Sequence, residues 1–99
     1  MKVVYTDEAL SDLAAIADWL MVHYPTVAPA VERRIRRIVA HIARWPASAR
    51  RTASHPGVRV VPLGRYPYNI FYRVTDNTVE ILHIHHAARQ PWDESTPKA

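Results

Sequence analysis

The side chains best suited to catalysis or to binding a charged ligand are histidines and arginines near the C-terminal end of the chain. His83, His85 and His86 lie within four positions, and Arg73 and Arg89 stand on either side of them. Imidazoles exchange protons near neutral pH, and guanidinium groups bind phosphate oxygens through paired N–H donors. These residue types could stabilise a negative charge and transfer a proton near neutral pH. His83 and His85 alternate onto one strand face without a carboxylate beside them, so we expect no metal site, and nothing in the sequence predicts a cofactor.

The basic charge is concentrated in the middle of the chain. The net charge is +4, and residues 32–73 contain ten arginines and one acid, whereas residues 1–31 contain one lysine and four acids. Such a block creates a local positive potential that attracts polyanions or an acidic protein partner. The alternative interpretation is a solvated helix face without a partner.

Length and composition restrict the class of protein. Ninety-nine residues, 48% of them hydrophobic, suffice for one domain with a buried core. We expect that domain over residues 1–92, followed by a C-terminal tail at 93–99. The absence of cysteine excludes disulfides, thiolate zinc sites and a cysteine nucleophile. Because no signal peptide or membrane span is recognisable, we expect a cytoplasmic protein with no membrane partner.

Two amphipathic helices are predicted in the first half of the chain. Thr6 is the expected N-cap of a helix over residues 7–23. A second helix is predicted over residues 28–45, where Trp45 closes an apolar stripe. The opposite side of this helix carries Arg33, Arg36 and Arg37. Two such helices joined by a short turn form an antiparallel hairpin that packs on a flat surface.

That flat surface is predicted to be a β-sheet. The predicted strands are residues 3–5, 58–63, 68–74 and 78–86, with a tight turn at Asp76-Asn77 between the last two. The order β-α-α-β-β-β indicates an α+β domain. Its parts are an N-terminal strand, an antiparallel helical hairpin and a three-stranded antiparallel sheet, and residues 46–57 are expected to be a loop.

Alternation along the strands separates an apolar face from a mixed face. The apolar face, expected beneath the helices, contains Val58, Val60, Tyr68, Ile70, Tyr72, Val74, Leu82 and Ile84. The mixed face, expected to be open, contains Arg59, Val61, Asn69, Phe71, Arg73, Ile81, His83 and His85. Cations, imidazoles and an exposed aromatic ring suit a nucleic acid or an amphipathic protein segment. The residues predicted to bind a partner are Arg33, Arg36, Arg37, Arg59, Asn69, Phe71 and His83.

Three segments of the sequence resemble the RelE/ParE superfamily of toxins. Residues 6–13 match a T-x-x-A-x-x-D-L opening, residues 64–74 a G-R-Y-P-Y-x-I-F/V-Y-x-V strand, and residues 79–89 an I-L-x-I-x-H-x-x-R strand. The resemblance covers residues 1–92 and has the predicted element order. It implies a growth-inhibitory toxin of a type II toxin–antitoxin system, neutralised by a cognate antitoxin in a hetero-oligomeric complex.

The resemblance leaves two targets open. ParE-like members poison DNA gyrase, whereas RelE-like members cleave ribosome-bound mRNA without a metal. The arginine that the ribonucleases carry on the middle strand is replaced here by Asn69, so a ribonuclease would depend on Arg89, Arg73 and His85. This replacement favours a ParE-like toxin that acts on gyrase, with an mRNA endonuclease as the alternative. The third hypothesis is a non-toxic module that binds nucleic acid mainly through the second helix.

Overall fold

Two helices and five strands occur in residues 1–53 and 55–88, the part of the chain that the computed structural model describes. The elements are β1 (Lys2–Tyr5), α1 (Asp7–His23), α2 (Ala28–Arg44), β2 (Arg50–Arg51), β3 (Arg59–Pro62), β4 (Tyr68–Thr75) and β5 (Thr78–His86). The strands form one sheet in the order β1-β5-β4-β3-β2. The α+β class and both helices are therefore confirmed, whereas the expected tail at 93–99 lies outside the described residues.

The sheet is larger than predicted and mixed rather than purely antiparallel. β1 pairs in parallel with β5, and β2 pairs antiparallel with β3 inside the segment that was expected to be a loop. A strand of two residues is too short to show alternation, which is why the sequence did not reveal β2. The parallel pairing of β1 places the start of α1 beside β5.

Thr6 joins the first helix to the sheet. Its hydroxyl accepts a hydrogen bond from the Ala9 amide at 3.1 Å, as predicted for an N-cap. The single proton of the same hydroxyl is shared between the Ile81 and Leu82 carbonyl oxygens, both at 3.0 Å. The Thr6 amide also donates to the Ile81 carbonyl at 3.1 Å. One residue therefore starts α1 and anchors it to β5.

We expect Thr6→Ala to lower the free energy of unfolding by about 1–2 kcal/mol, because α1 loses its N-cap and the carbonyls of β5 lose the hydroxyl that donates to them. Urea unfolding followed by circular dichroism measures this loss. Ser11→Ala, an exposed position inside α1, is the matched control and should change stability by less than about 0.5 kcal/mol. Equal unfolding midpoints for the two variants would contradict the anchoring role of Thr6.

The main core lies between the helices and one side of the sheet. α2 contributes its buried stripe of Val31, Ile35, Val39 and Ile42. The sheet contributes Tyr68, Ile70, Tyr72, Val79, Ile81 and Ile84. The prediction that Trp45 closes the apolar stripe of α2 is wrong, because its side chain is 55% exposed. The Arg44 guanidinium lies 5.5 Å from the centre of the Trp45 ring, so this indole contacts a cation at the surface and not the core.

The register of β3 reverses the face predicted for it. Val61 pairs with Ile70, and Val60 pairs with Phe71. Val61 therefore packs with the main core, while Val58 and Val60 pack with Phe71 on the other side of the sheet. Because side chains alternate with a period of two, a register different by one residue exchanges the two faces.

A β-bulge in β5 exchanges faces within a single strand. Phe71 pairs with His83, whereas its neighbour Tyr72 pairs with Ile81, so Leu82 is the additional residue. Ile81 is fully buried in the main core, and Leu82 packs against the Phe71 side. Both had been predicted on the opposite faces. Beyond the bulge the alternation is as predicted.

The turn between β4 and β5 is confirmed. Thr75 pairs with Thr78, leaving Asp76 and Asn77 as a two-residue loop. Both loop residues have positive φ, +48° and +59°. This is the backbone of a type I′ turn, which matches the twist of a hairpin and favours Asp and Asn. Val74, just before the turn, was predicted to lie beneath the helices. It is 39% exposed, so this prediction is wrong.

Candidate functional site

The two histidines of β5 lie on the side of the sheet opposite the helices, next to two other residues selected from the sequence. His83 pairs with Phe71, and His85 pairs with Asn69. The two imidazole centres are 4.6 Å apart, and the His85 ring lies 5.8 Å from the Phe71 ring. The structure therefore brings four of the predicted site residues together at one end of β4 and β5.

Asp12 completes this group, although sequence analysis assigned it no chemistry. Its Oδ2 atom lies 3.1 Å from His83 Nδ1 and 3.6 Å from His85 Nε2, and it accepts a hydrogen bond from the Ile84 amide at 3.0 Å. Asp12 is 71 residues away from His83 in the chain, so spacing could not reveal the contact. It reaches β5 because Thr6 holds the start of α1 there. We call Asp12, His83 and His85 the Asp-His cluster.

The sheet side opposite the helices is not the open groove that alternation predicted. The side chains of His83, His85 and Asp12 are only 12%, 11% and 18% exposed. Phe71 is 4% exposed because Val58, Val60 and Leu82 surround it. The prediction of an exposed aromatic ring is therefore wrong. The register that moved Val58 and Val60 to this side created a second, smaller apolar cluster there.

The residues selected for RNA cleavage do not form one assembled site in the described residues. His85 lies opposite Asn69, whereas Arg73 lies four residues further along β4, about 13 Å away by strand rise. The Arg73 guanidinium instead donates to the Glu80 carboxylate at 2.7 Å, and this hydrogen bond lowers the pKa of the Glu80 carboxyl. Arg89, the third selected residue, lies outside the described residues.

Arg59 binds the chain itself. It lies opposite Tyr72 on the helix side of the sheet, so its predicted place on the open face is wrong. Its guanidinium donates to the Ala49 carbonyl at 2.6 Å, and the Tyr72 hydroxyl donates to the Pro46 carbonyl at 2.7 Å. Burial raises the pKa of the Tyr72 phenol, and the charge of Arg59 partly opposes that rise. Both side chains hold the segment after α2 against the sheet.

The arginines of α2 point in two directions. The Arg34 side chain donates to the Leu63 carbonyl at 2.9 Å and so joins the helix to the end of β3. The three arginines of α2 that were predicted to bind a partner are exposed, namely Arg33, Arg36 and Arg37. Arg36 forms an ion pair with Glu32 one turn earlier on the helix. The predicted basic face of this helix is therefore present and accessible.

An apolar groove of about 510 Å³ lies between the two helices, and sequence analysis did not predict it. Its walls are Leu13, Ala14, Ile16, Ala17, Leu20 and Met21 from α1, and Ala28, Pro29, Val31, Glu32 and Ile35 from α2. The small alanine side chains leave the space open. Met21, at the groove, and its neighbours Val22 and Tyr24 are exposed. Exposed apolar surface beside a charged helix face is typical of a protein-binding site. No helix within residues 1–53 or 55–88 is both long and apolar enough to cross a membrane.

Comparison with known proteins adds independent information. The family model described as the ParE toxin of the type II toxin–antitoxin system parDE matches residues 3–91. Toxin RelE2 from Caulobacter vibrioides is 38% identical over 89 residues, which make up 89% of this chain and 97% of that protein. A solved structure described as a chromosomal ParDE TA system from P. aeruginosa superposes with a TM-score of 0.76 at 31% identity. That match covers 87% of this chain and 95% of the other.

Proposed function

The chain belongs to the ParE toxin family of type II toxin–antitoxin systems, and from that premise we propose that it arrests growth by binding DNA gyrase. The family match over residues 3–91 is the observation that carries this proposal. A toxin of such a system has an antitoxin partner. Gyrase is a cytoplasmic enzyme, so the proposal places the protein in the cytoplasm.

The arrangement of the described residues is consistent with a toxin that acts by binding. Arg73 is hydrogen bonded to Glu80. His85 lies beside Asp12 and is separated from Arg73 along the strands. A binding toxin needs no general acid or base, so its imidazoles can be largely covered. The exposed arginines of α2 and the neighbouring groove provide surfaces for protein partners.

The alternative function is metal-free cleavage of ribosome-bound mRNA. It is supported by the 38% identity to a protein named Toxin RelE2. It requires cations and a proton donor around one phosphodiester. Asn69 in place of an arginine weakens this hypothesis, as does the separation of Arg73 from His85 along the strands.

We expect the purified toxin to inhibit supercoiling by DNA gyrase and to accumulate cleaved DNA, while mRNA on ribosomes stays intact. Supercoiling assays on a plasmid and primer extension on messages after induction measure the two effects in parallel. Toxin mixed beforehand with its antitoxin is the control and should have neither effect. Codon-aligned cuts in mRNA with normal supercoiling would replace the gyrase proposal with the endonuclease. Normal growth on induction would contradict both.

For the antitoxin, we propose an acidic amphipathic segment that lies along the groove between α1 and α2. Its apolar side chains would cover Met21 and the alanines of the groove, and its carboxylates would pair with Arg36 and Arg37. This placement differs from one that covers Phe71, because Phe71 is already buried within the toxin. The groove supplies apolar area, and the arginines supply orientation and fast association.

A further inference from the structure

We propose that Asp12, His83 and His85 bind a divalent transition-metal ion, with Zn²⁺ as the best fit. The proposal does not depend on the target of the toxin. It rests on the distances, the donor types and the local support of the Asp-His cluster. The expectation of no metal site depended on a missing carboxylate, and Asp12 of α1 supplies that carboxylate.

The distances from the carboxylate to the two imidazoles suit a tetrahedral ion. In a tetrahedral zinc site with bonds of about 2.0–2.1 Å, neighbouring ligand atoms lie roughly 3.4 Å apart. Here Asp12 Oδ2 lies 3.1 Å from His83 Nδ1 and 3.6 Å from His85 Nε2. One ligand atom from each of the three side chains can be chosen so that all lie within 4.8 Å of one another. Because 4.8 Å exceeds the tetrahedral spacing, side-chain rotation must bring the two most distant atoms closer by up to about 1.4 Å before all three can bind one ion.

The donor types select the class of metal. Two imidazole nitrogens and one carboxylate oxygen suit Zn²⁺ and its neighbours in the first transition series. Ca²⁺ and Mg²⁺ prefer sets made entirely of oxygen ligands, so the imidazoles disfavour them. Three protein ligands leave a fourth position for water or a ligand from outside. The three side chains are 11–18% exposed, so the cluster is largely sheltered from solvent.

The surrounding structure holds the carboxylate in place before any ion binds. Asp12 Oδ2 accepts a hydrogen bond from the Ile84 amide at 3.0 Å, between the two histidine positions. Thr6, at the start of the same helix, bonds to the Ile81 and Leu82 carbonyls. Such outer contacts orient metal ligands and raise affinity. The ion would join α1 to β5, which are far apart in the sequence, and so stabilise the folded toxin.

Titration of the full-length, tag-free toxin with ZnCl₂ in a calorimeter tests the proposal. We expect one ion per chain, and a melting temperature that rises by about 10 °C when free Zn²⁺ exceeds Kd 100-fold. Co²⁺ in place of Zn²⁺ should give the visible absorption of a four-coordinate site. No saturable binding below about 100 µM free Zn²⁺, or binding without any thermal shift, would overturn the proposal.

Three variants locate the ion. His83→Gln and His85→Ala should each weaken Zn²⁺ binding by more than the roughly 10–100-fold that loss of an outer contact costs. Asp12→Asn keeps an oxygen for the Ile84 amide and removes the charge, so it should fold normally and bind at least about 10-fold more weakly. His41→Ala, at an exposed position on α2, is the matched control and should bind as the parent does. Equal weakening by His41→Ala, or unchanged binding by folded Asp12→Asn, would contradict a site at the Asp-His cluster.

Discussion

Phe71→Ala lowers the free energy of unfolding by about 3–5 kcal/mol, a large share of the roughly 5–15 kcal/mol that holds a small domain folded. The ring is 4% exposed and packs with Val58, Val60 and Leu82 on the sheet side away from the helices. Its removal leaves a cavity in a cluster too small to close around the gap. Thermal unfolding should show a fall in melting temperature of more than about 12 °C.

Trp45→Ala is the control for this experiment. Trp45 is also a large aromatic residue, but it is 55% exposed and contacts Arg44 at the surface. Its removal should change stability by less than about 1 kcal/mol. If Phe71→Ala instead kept the parental stability and weakened antitoxin binding, Phe71 would be the exposed ring that strand alternation predicted. The pairing of Val60 with Phe71 would then be wrong.

The double substitution Arg36→Glu, Arg37→Glu should slow association with an acidic antitoxin on the order of 100-fold at low ionic strength. Both arginines are exposed at adjacent positions of α2, so the change replaces an attractive surface by a repulsive one. Surface charges contribute little to stability, so the melting temperature should stay close to that of the parent. Stopped-flow or surface-binding kinetics at several salt concentrations measure the effect.

Arg50→Glu with Arg51→Glu is the matched control. It alters the net charge by the same amount, but these exposed residues lie on β2 at the far edge of the sheet. We expect a smaller effect from this pair, and we expect both effects to shrink as salt shortens the range of the field. Equal effects would show that only total charge matters. No effect from the α2 pair would remove this helix from the antitoxin-binding surface.

Local chemistry made much of the fold predictable. Thr6 caps α1, the apolar spacing of α2 predicted its buried stripe, and Asp76-Asn77 predicted the hairpin turn. Each of these signals depends on residues within one or two turns of each other, which is the range over which propensity and capping act. The charge of the α2 surface was predictable for the same reason, because long arginines opposite an apolar stripe point to solvent.

The faces of the sheet were predictable only in part. His83, His85, Asn69 and Phe71 share a side as the alternation indicated. Whether that side is exposed to solvent depended on which valines in and beside β3 pack against Phe71 there. The answer required the pairing of β3 with β4 across a connection whose geometry the sequence did not specify. Alternation determines which residues share a face of one strand, but not which face meets the helices.

By itself the sequence determined the two helices, the order of the elements apart from β2, the basic surface of α2 and the likeness to the toxin family, because each depends on neighbouring residues. Only the tertiary structure decided the bulge at Leu82, the burial of Phe71 and the meeting of Asp12 with His83 and His85. These features join segments that are distant in the chain. They follow from strand pairing and from the anchoring of α1 to β5 by Thr6, where packing of the whole domain, not local preference, selects the arrangement.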